Sequence, residues 1–411
     1  MAMPDGATVN RTSLDGVCLI QLVASIAHDS FGLGYAALNL GAALQRAGAH
    51  VILASVDSGK DAFEACEEAG FPRERLILGS LIGPSKLRFA PFLTRSLLNS
   101  RLIGKHVVHL HGRWTYMSHV AAAISRRWRC PLVLSPHGQL DEYALKISPC
   151  KKALASLLYE RRTLKEASCL WALSEQEKSS IRAHGFTGRI AVIPNGVNRA
   201  AVCTNQEIDE FRKKHNVPTG AKVLLFLSRI APAKNLPLLL KAFAKSAKIV
   251  PEWTLLVAGQ GQTGHIHELR SLIHDLKIDK SVRLIGPVHG KEKACAFGSA
   301  SVFVLPSLTE GLPIAALEAM EYAKPILVTD VWTLPVTTSR SFGWRVPASE
   351  QEFTIALSEA MNTSKETLVE MGLNARSIVR EHFDWNSVGR QARSLYASLL
   401  DDGRRAESQI R

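Results

Sequence analysis

Hydrophobic positions follow two regimes along this chain. Short, continuously apolar runs at 17–26, 50–56, 107–110, 131–135, 169–173 and 190–193 alternate with stretches whose apolar residues recur every three or four positions. These periodic stretches lie at 33–48, 60–70, 117–128, about 149–167 and 175–184. A strand covered on both faces must be apolar throughout, whereas a helix needs only one apolar stripe. The first regime therefore predicts buried parallel strands and the second the helices that cover them, a βαβ series. A turn signal at Pro194–Val197 and a polar helical stretch at 206–215 precede a second series. Its strands, at 222–228, 253–258, 282–285, 301–305 and 325–329, alternate with helices at about 235–249, 263–276, 290–298 and 313–323. The expectation is an α/β chain with two Rossmann-like, doubly wound domains, residues 1–198 and 199–385, facing a central crevice. A C-terminal helical segment, 386–411, is expected to pack back on the first domain, with its tail from 401 frayed.

Composition narrows the class. At 411 residues and 46% apolar content the chain suits two ordinary soluble domains. The seven cysteines (18, 66, 130, 150, 169, 203 and 295) form no C-x-x-C pair and no Cys/His cluster at zinc spacing. Neither a metal site nor a disulfide framework is indicated, which favours a reducing, cytoplasmic setting. No uncharged apolar run approaches the ~18 residues of a membrane span. The run from Val17 to Ile26 has some character of a leader, but Asp5 and Asp15 precede it and Gln21 interrupts it, so it reads as the first strand.

The formal charge of +13 is unevenly distributed. Between Glu74 and Asp141 there is no acidic residue, while ten basic ones occur: Arg75, Lys86, Arg88, Arg95, Arg101, Lys105, Arg113, Arg126, Arg127 and Arg129. A helix over Ser85–Ile103 would gather Phe89, Phe92, Leu93 and Leu97 on one face and leave Arg88, Arg95 and Arg101 off it. That arrangement suits an anionic membrane surface. An ordinary surface helix with its apolar face in the domain fits as well, since Pro91 and Leu98 interrupt the pattern. Nucleic acid is disfavoured, because no zinc finger, RNP-type aromatic pair or basic recognition helix accompanies the charge.

Candidate chemistry lies past strand ends. The strand at 301–305 runs into PSLTEGLPIAALEAM (306–320), which places Glu310 in the following loop and Glu318 one to two turns into a helix with proline in its first turn. The free N–H groups of such a helix end attract phosphate, and carboxylates accept hydrogen bonds from sugar hydroxyls. A sugar nucleotide answers both. Upstream, the strand at 222–228 ends in SRIAPAKN (228–235), which sends two cations, Arg229 and Lys234, towards the same edge. An Arg/Lys pair supplies positive charge to a departing diphosphate without a metal.

Together these two motifs resemble the retaining, GT-B-fold glycosyltransferases of family 4, of the surface polysaccharide and lipopolysaccharide type. The resemblance extends through IAVIPNGVN (190–198), LVAGQGQ (256–262), LIGPVHGKEKACAFGSASVFVLPS (284–307), SPHGQLDEYALK (135–146) and SEQEKSSIRAHG (174–185). It implies that Arg229 and Lys234 hold the donor diphosphate, Glu310 contacts the transferring sugar and Glu318 the ribose. It also implies that His137 lies beside the sugar, with His109 and His111 on the acceptor side. Gly32 and Gly34, in a loop where members usually carry adjacent glycines, are candidate donor contacts. Pro313 stands where many members have glycine and removes one N–H, which directs phosphate contacts to Leu312, Ile314 and the two cations, with Gly311 a further candidate donor contact.

The implied activity is transfer of a hexosyl unit from a UDP- or GDP-linked sugar to a hydroxyl of a glycan or lipid-linked glycan, with no metal and no cofactor, by a peripheral protein at the inner face of the cytoplasmic membrane. Three other classes are weighed against it. GT-B-type sugar-nucleotide epimerases lack this Arg/Lys and E-x7-E combination. A catalytically silent binding subunit would not need every charged residue. A dehydrogenase would need a complete G-x-G-x-x-G turn with an acidic residue about 20 positions on, which neither Gly32/Gly34 nor Gly259/Gly261 supplies.

Overall fold

The computed structural model describes residues 14, 16–27, 31–83, 87–99, 104–141, 145–146, 152–153, 155–247, 250–332, 334 and 341–410. It divides into two compact units, residues 1–196 with 385–411, and residues 197–384. Each is built on a wholly parallel sheet flanked by helices.

In the first unit the strands are β1 (Val17–Val23), β2 (His50–Ser55), β3 (Leu76–Leu78), β4 (Lys105–His111), β5 (Leu132–Ser135), β6 (Cys169–Ala172) and β7 (Ile190–Val192). Their order is β3-β2-β1-β4-β5-β6-β7. The covering helices are α1 (Phe31–Arg46), α2 (Gly59–Ala69), α3 (Pro91–Asn99), α4 (Tyr116–Trp128), α5 (Arg161–Glu166) and α6 (Glu175–Ala183), and a π-helical turn (Ser156–Glu160) leads into α5. All seven residues of β1 are buried, which explains why six of them are apolar and leaves Gln21 as a buried polar exception.

The second unit has the order β10-β9-β8-β11-β12-β13. Its elements are α7 (Asn205–Lys214), β8 (Lys222–Leu227), α8 (Leu236–Ser246), β9 (Trp253–Ala258), α9 (Thr263–Asp275), β10 (Val282–Gly286), α10 (Gly290–Ser299) and β11 (Val302–Leu305). They continue with α11 (Ile314–Glu321), β12 (Ile326–Thr329), β13 (Gly343–Val346), α12 (Glu350–Asn362) and α13 (Lys365–His382). Helix α7 opens with a complete capping box, in which Thr204 and Glu207 satisfy each other's backbone amides.

The last helix, α14 (Trp385–Ile410), belongs to the first unit and packs on α1. The Trp385 ring lies against Gly196, where a Cβ would come within 2.4 Å of it, so this position admits no side chain. Arg393 donates to the Ala47 carbonyl at 2.6 Å, capping the turn after α1.

Several expectations need correction. The segment from 401, expected to be frayed, continues α14 to Ile410. The helix expected over 85–103 is described over Pro91–Asn99 and does not include 87–90, with residues 84–86 and 100–103 outside the described set. Pro91 starts this helix instead of disturbing it, because the first turn has no use for the missing N–H. Arg88 precedes it in a left-handed conformation (φ 52°) and donates to the Val56 carbonyl at 2.7 Å, so it is not on a helical face. The helix expected at 149–167 is described at 152–153 and 155–166, with a π-helical turn at 156–160. Strands β3 and β13 and helices α12 and α13 were not anticipated. Pro313 is the N-cap of α11 and lies just outside it.

Candidate functional site

In the second unit the strand order reverses between β8 and β11, and loops from such neighbours meet past their carboxyl ends. The loop after β8 turns through a 3-10 segment, Pro232–Lys234, and leaves it at Asn235 in the left-handed conformation (φ 52°). The loop after β11 is laced to it, since the Leu308 amide donates to the Ala233 carbonyl at 2.8 Å. This brings Lys234 Nζ to 2.5 Å from Glu310 Oε1, although 76 positions separate them. Ser307 Oγ donates to the same oxygen at 2.5 Å, and Thr329 Oγ1 holds the Ser307 carbonyl at 2.6 Å. Lys234 and Glu310 are only 13% and 10% exposed, so the pair is poorly screened but still open to a ligand.

Glu318 sits in the second turn of α11 and accepts from Lys293 Nζ on α10 at 2.6 Å. Leu312 is buried, while Gly311 and Ile314 are half-buried at the helix start. Arg229 is exposed past β8. Gly259 and Gly261 have a structural cause. The Ile230 amide donates to the Gln260 carbonyl at 2.8 Å, and a Cβ on Gly259 (φ 151°) would lie 1.8 Å from the Ser228 carbonyl. The glycines let the loop after β9 press against the loop that carries Arg229 and Lys234.

In the first unit, β1, β4 and β5 are neighbours around the corresponding switch point. Gly32 and Gly34 fall in the first turn of α1, and residues 28–30 before them lie outside the described set. His109, His111 and His137 form a chain of rings. His109 and His111 stack with centroids 4.1 Å apart, and His111 Nδ1 meets His137 Nε2 at 3.2 Å. His109 has both nitrogens engaged, Nε2 with Ser135 Oγ at 2.7 Å and Nδ1 with the Tyr396 hydroxyl of α14 at 2.8 Å. His111 Nε2 is buried without a hydrogen-bond partner among the described residues. Burial holds all three imidazoles neutral. It pushes His109 down to about 3, with help from His137, and His111 well below the usual range, while His137 falls to about 4 although part of it reaches the surface.

His137 has a left-handed backbone (φ 53°), and the turn it starts is clamped by Glu177. That carboxylate, 2% exposed, accepts from the Gly138 amide at 2.6 Å and the Leu173 amide at 2.7 Å, joining the ends of β5 and β6. Beside it, Arg113 and Glu160 form a wholly buried ion pair at 2.8 Å. Glu160 also accepts from the Trp114 amide at 2.8 Å and from Ser118 Oγ at 2.6 Å, and thereby fixes the loop after His111.

Burial pushes the Glu177 carboxyl up to about 7, against the lowering effect of the two amides. Because its folded-state pKa lies above the unfolded value, its contribution to stability is whole below about pH 4.5 and is lost as pH rises through about 7. The stability of the wild type relative to Glu177→Gln, which cannot titrate, should therefore fall by about 3 kcal/mol between pH 4 and 8. Denaturant unfolding of both proteins across that range checks this, and parallel pH slopes would contradict it.

The sequence motifs thus place Lys234, Glu310 and Glu318 on one edge of the second sheet, and His109, His111 and His137 together on one edge of the first. Lys293, Ser307, Glu177 and the Arg113–Glu160 pair escaped sequence reasoning. Two S-x-x-E spacings touch them, Ser174 with Glu177 and Ser307 with Glu310, and the first, a helix-start signal, explains the cap bond of 3.1 Å rather than the clamp.

Two parallel, Rossmann-like sheets with functional loops at their carboxyl edges define the GT-B class. Residues 31–196 match the family described as "Glycosyl transferase 4-like domain", and residues 207–378 match "Glycosyl transferases group 1". Between them these matches reach across both units, and the chain is a GT-B glycosyltransferase of the group 1, GT4-like type. Similar curated proteins include the D-inositol 3-phosphate glycosyltransferases of Corynebacterium efficiens, 25% identical over 70% of each chain, and of Streptomyces scabiei, 26% identical over 73% of this chain and 70% of the relative. Among solved structures, Anabaena HepE in complex with UDP and glucose is similar over 93% of this chain and 99% of its own, with a TM-score of 0.75 and 18% identity. Sucrose-phosphate synthase from Thermosynechococcus elongatus has the same coverage and TM-score at 20% identity. These structural likenesses concern the fold.

Proposed function

We propose that this protein transfers a hexosyl unit from a nucleotide diphosphate sugar to a hydroxyl of a glycan acceptor, with retention at the anomeric carbon, in the assembly of a surface polysaccharide or lipopolysaccharide. The observation that carries the donor half is the pairing of Lys234 with Glu310 across the β8 and β11 loops, beside the start of α11. Structures of similar fold bind UDP and UDP-glucose, which supports a nucleotide sugar as donor.

In this reading Lys234, Arg229 and the amides of Gly311, Leu312 and Ile314 take the diphosphate, with Gly32 and Gly34 as further donor contacts. Glu310 Oε1 is held by Lys234 and Ser307, so Oε2 can accept from the sugar hydroxyls; Glu318, steadied by Lys293, does the same for the ribose. His137, neutral and linked to His111, stands beside the sugar and donates or accepts without adding charge. The leaving diphosphate oxygen takes the acceptor proton as the glycosidic bond breaks on the same face, which preserves configuration. The positive field comes from side chains and the helix end, and among the described residues no cluster of three or more His, Cys, Asp or Glu could hold a metal.

A panel of UDP-, GDP- and ADP-sugars, assayed with and without acceptor in excess chelator, tests this. Acceptor-dependent nucleotide release is expected. Donor interconversion would instead indicate an epimerase, and silence a binding subunit. Because the relatives are named for inositol 3-phosphate, a second reading has a small phosphorylated polyol as acceptor. Including one such polyol beside oligosaccharides separates the two.

The acceptor reading extends to an anionic membrane that carries a lipid-linked glycan. Among the described residues no helix is long and apolar enough to cross one. Helix α3 buries Leu93 and Leu97 but leaves Phe92 64% exposed beside exposed Arg95, and Leu157 and Leu158 are exposed next to Arg161 and Arg162. Phe89 packs edge-on against Tyr116 at 4.8 Å and Arg88 bonds backbone, so neither supports the attachment. Each basic side chain at such a surface contributes about 1 kcal/mol, falling off within a Debye length. The protein should sediment with anionic liposomes, release in salt and lose most of its binding on joint replacement of Phe92 and Leu157 by Ser with Arg95→Gln. Indifference of the wild type to such liposomes at low salt would remove the membrane from the reading.

A further inference from the structure

Cys203 and Cys295 are 92 positions apart in sequence, yet Cys295 Sγ donates to Cys203 Sγ at 3.1 Å. Both thiols are reduced. Cys203 is half-exposed in the stretch just before α7, whereas Cys295 is 4% exposed in the middle of α10. The contact sits in a seam closed independently on either side. Thr204 starts the capping box of α7, Lys291 of α10 pairs with Glu207, and Lys214 and His215 share Glu292 at 2.7 and 3.1 Å. The preceding stretch is fastened too, since the Ala201 amide donates to the Tyr322 hydroxyl at 3.0 Å. Neither sulfur therefore has to travel far. A disulfide needs about 2.05 Å, so about 1 Å of closure within an already packed seam completes the bond.

The structure assigns Cys203 and Cys295 as an oxidisable thiol pair that closes to a disulfide stapling the residues before α7 to α10. The oxidant is a peroxide or a small-molecule disulfide. With hydrogen peroxide, the Cys203 thiolate takes one oxygen to become a sulfenic acid and releases hydroxide. The Cys295 sulfur then attacks the Cys203 sulfur, and the sulfenic oxygen leaves as water. In sum, two thiols lose two protons and two electrons and one peroxide becomes two waters. The order follows from access. Cys203 is the sulfur an oxidant meets, whereas Cys295 is buried, and burial with the bond to Cys203 pushes its thiol up to about 12.

The site does not depend on the donor reading, although α10 also presents Lys293 to Glu318. Its chemistry tolerates reduction and reoxidation, because the seam is held by the ion pairs in either state. Closing a loop of this length restrains the unfolded chain, and the thermal midpoint should rise by about 5–15 °C.

The test uses the full chain, incubated with hydrogen peroxide or oxidised glutathione and compared with a dithiothreitol-treated sample. The expected result is an intact mass lower by two hydrogens, a Cys203–Cys295 cross-linked peptide in a non-reducing digest, and a raised midpoint that reverts on reduction. Cys203→Ser, at a half-exposed position where folding is not at stake, should abolish all three. Separate over-oxidation of Cys203 without a cross-link, a disulfide that joins other cysteines, or an unchanged midpoint in cross-linked protein would overturn the assignment.

Discussion

Turnover by the purified protein should fall at least ~100-fold on Glu310→Gln and on Lys234→Ala, the scale on which removal of one preorganised transition-state charge is felt. Thermal unfolding of both variants should stay near that of the wild type, because each side chain lies in a loop past a strand end and neither belongs to the apolar core. The two changes should also differ in kind. Lys234→Ala frees Glu310 from its ion pair and removes a diphosphate contact, so nucleotide affinity should fall with turnover. Glu310→Gln keeps Lys234 and the Ser307 bond and should act mainly on turnover. Single-turnover rates with titration of UDP separate the two. Near-normal turnover in either folded variant would remove the donor site from these loops.

The second large effect concerns stability. Glu160→Gln keeps the shape of the side chain and an acceptor for Trp114 and Ser118, but leaves the Arg113 charge buried and unpaired. Breaking such a pair costs about 3–5 kcal/mol, enough to lower the unfolding midpoint by about 10 °C. The remedy follows from the same physics. Arg113→Met combined with Glu160→Gln removes both charges and should recover most of the loss, since a buried pair is worth little against an apolar replacement. Arg113 already has both terminal nitrogens without hydrogen-bond partners among the described residues, which adds to what the charge costs there. If the double variant is as unstable as the sum of its parts, the unpaired charge is not the cause.

What the sequence disclosed depended on whether a residue's role follows from local pattern. Lys234 and Glu310 were legible because each lies in the loop that follows an apolar run, and strand ends at a reversal of sheet order converge whatever the intervening chain does. Lys293 offered no such cue. It is one lysine on a polar helical segment, and only the packing of α10 shows that it reaches Glu318. Arg113 was counted among the basic residues of an acid-free stretch, yet it is fully buried against a glutamate 47 positions on, a pairing no window of sequence contains. Strand β3, Leu-Ile-Leu, is apolar but only three residues long and half-buried, and β13, Gly-Trp-Arg-Val, is broken by the exposed Arg345, so neither offers the longer apolar run that marked the others.

The His109–Tyr396 hydrogen bond joins residues 287 positions apart, with the whole of the second unit between them in the chain. This has a consequence for biosynthesis. A ribosome has to synthesise residues 197–384 before it delivers the helix on which the first-made sheet relies, so the unit begun second can finish folding first. Until Trp385 and Tyr396 emerge, Gly196 and His109 lack their partners and the face of α1 that receives α14 is bare. Chains stopped short of residue 385 should thus contain a sound second unit and a first unit that calls on chaperones, and protease digestion of stalled nascent chains would reveal that order.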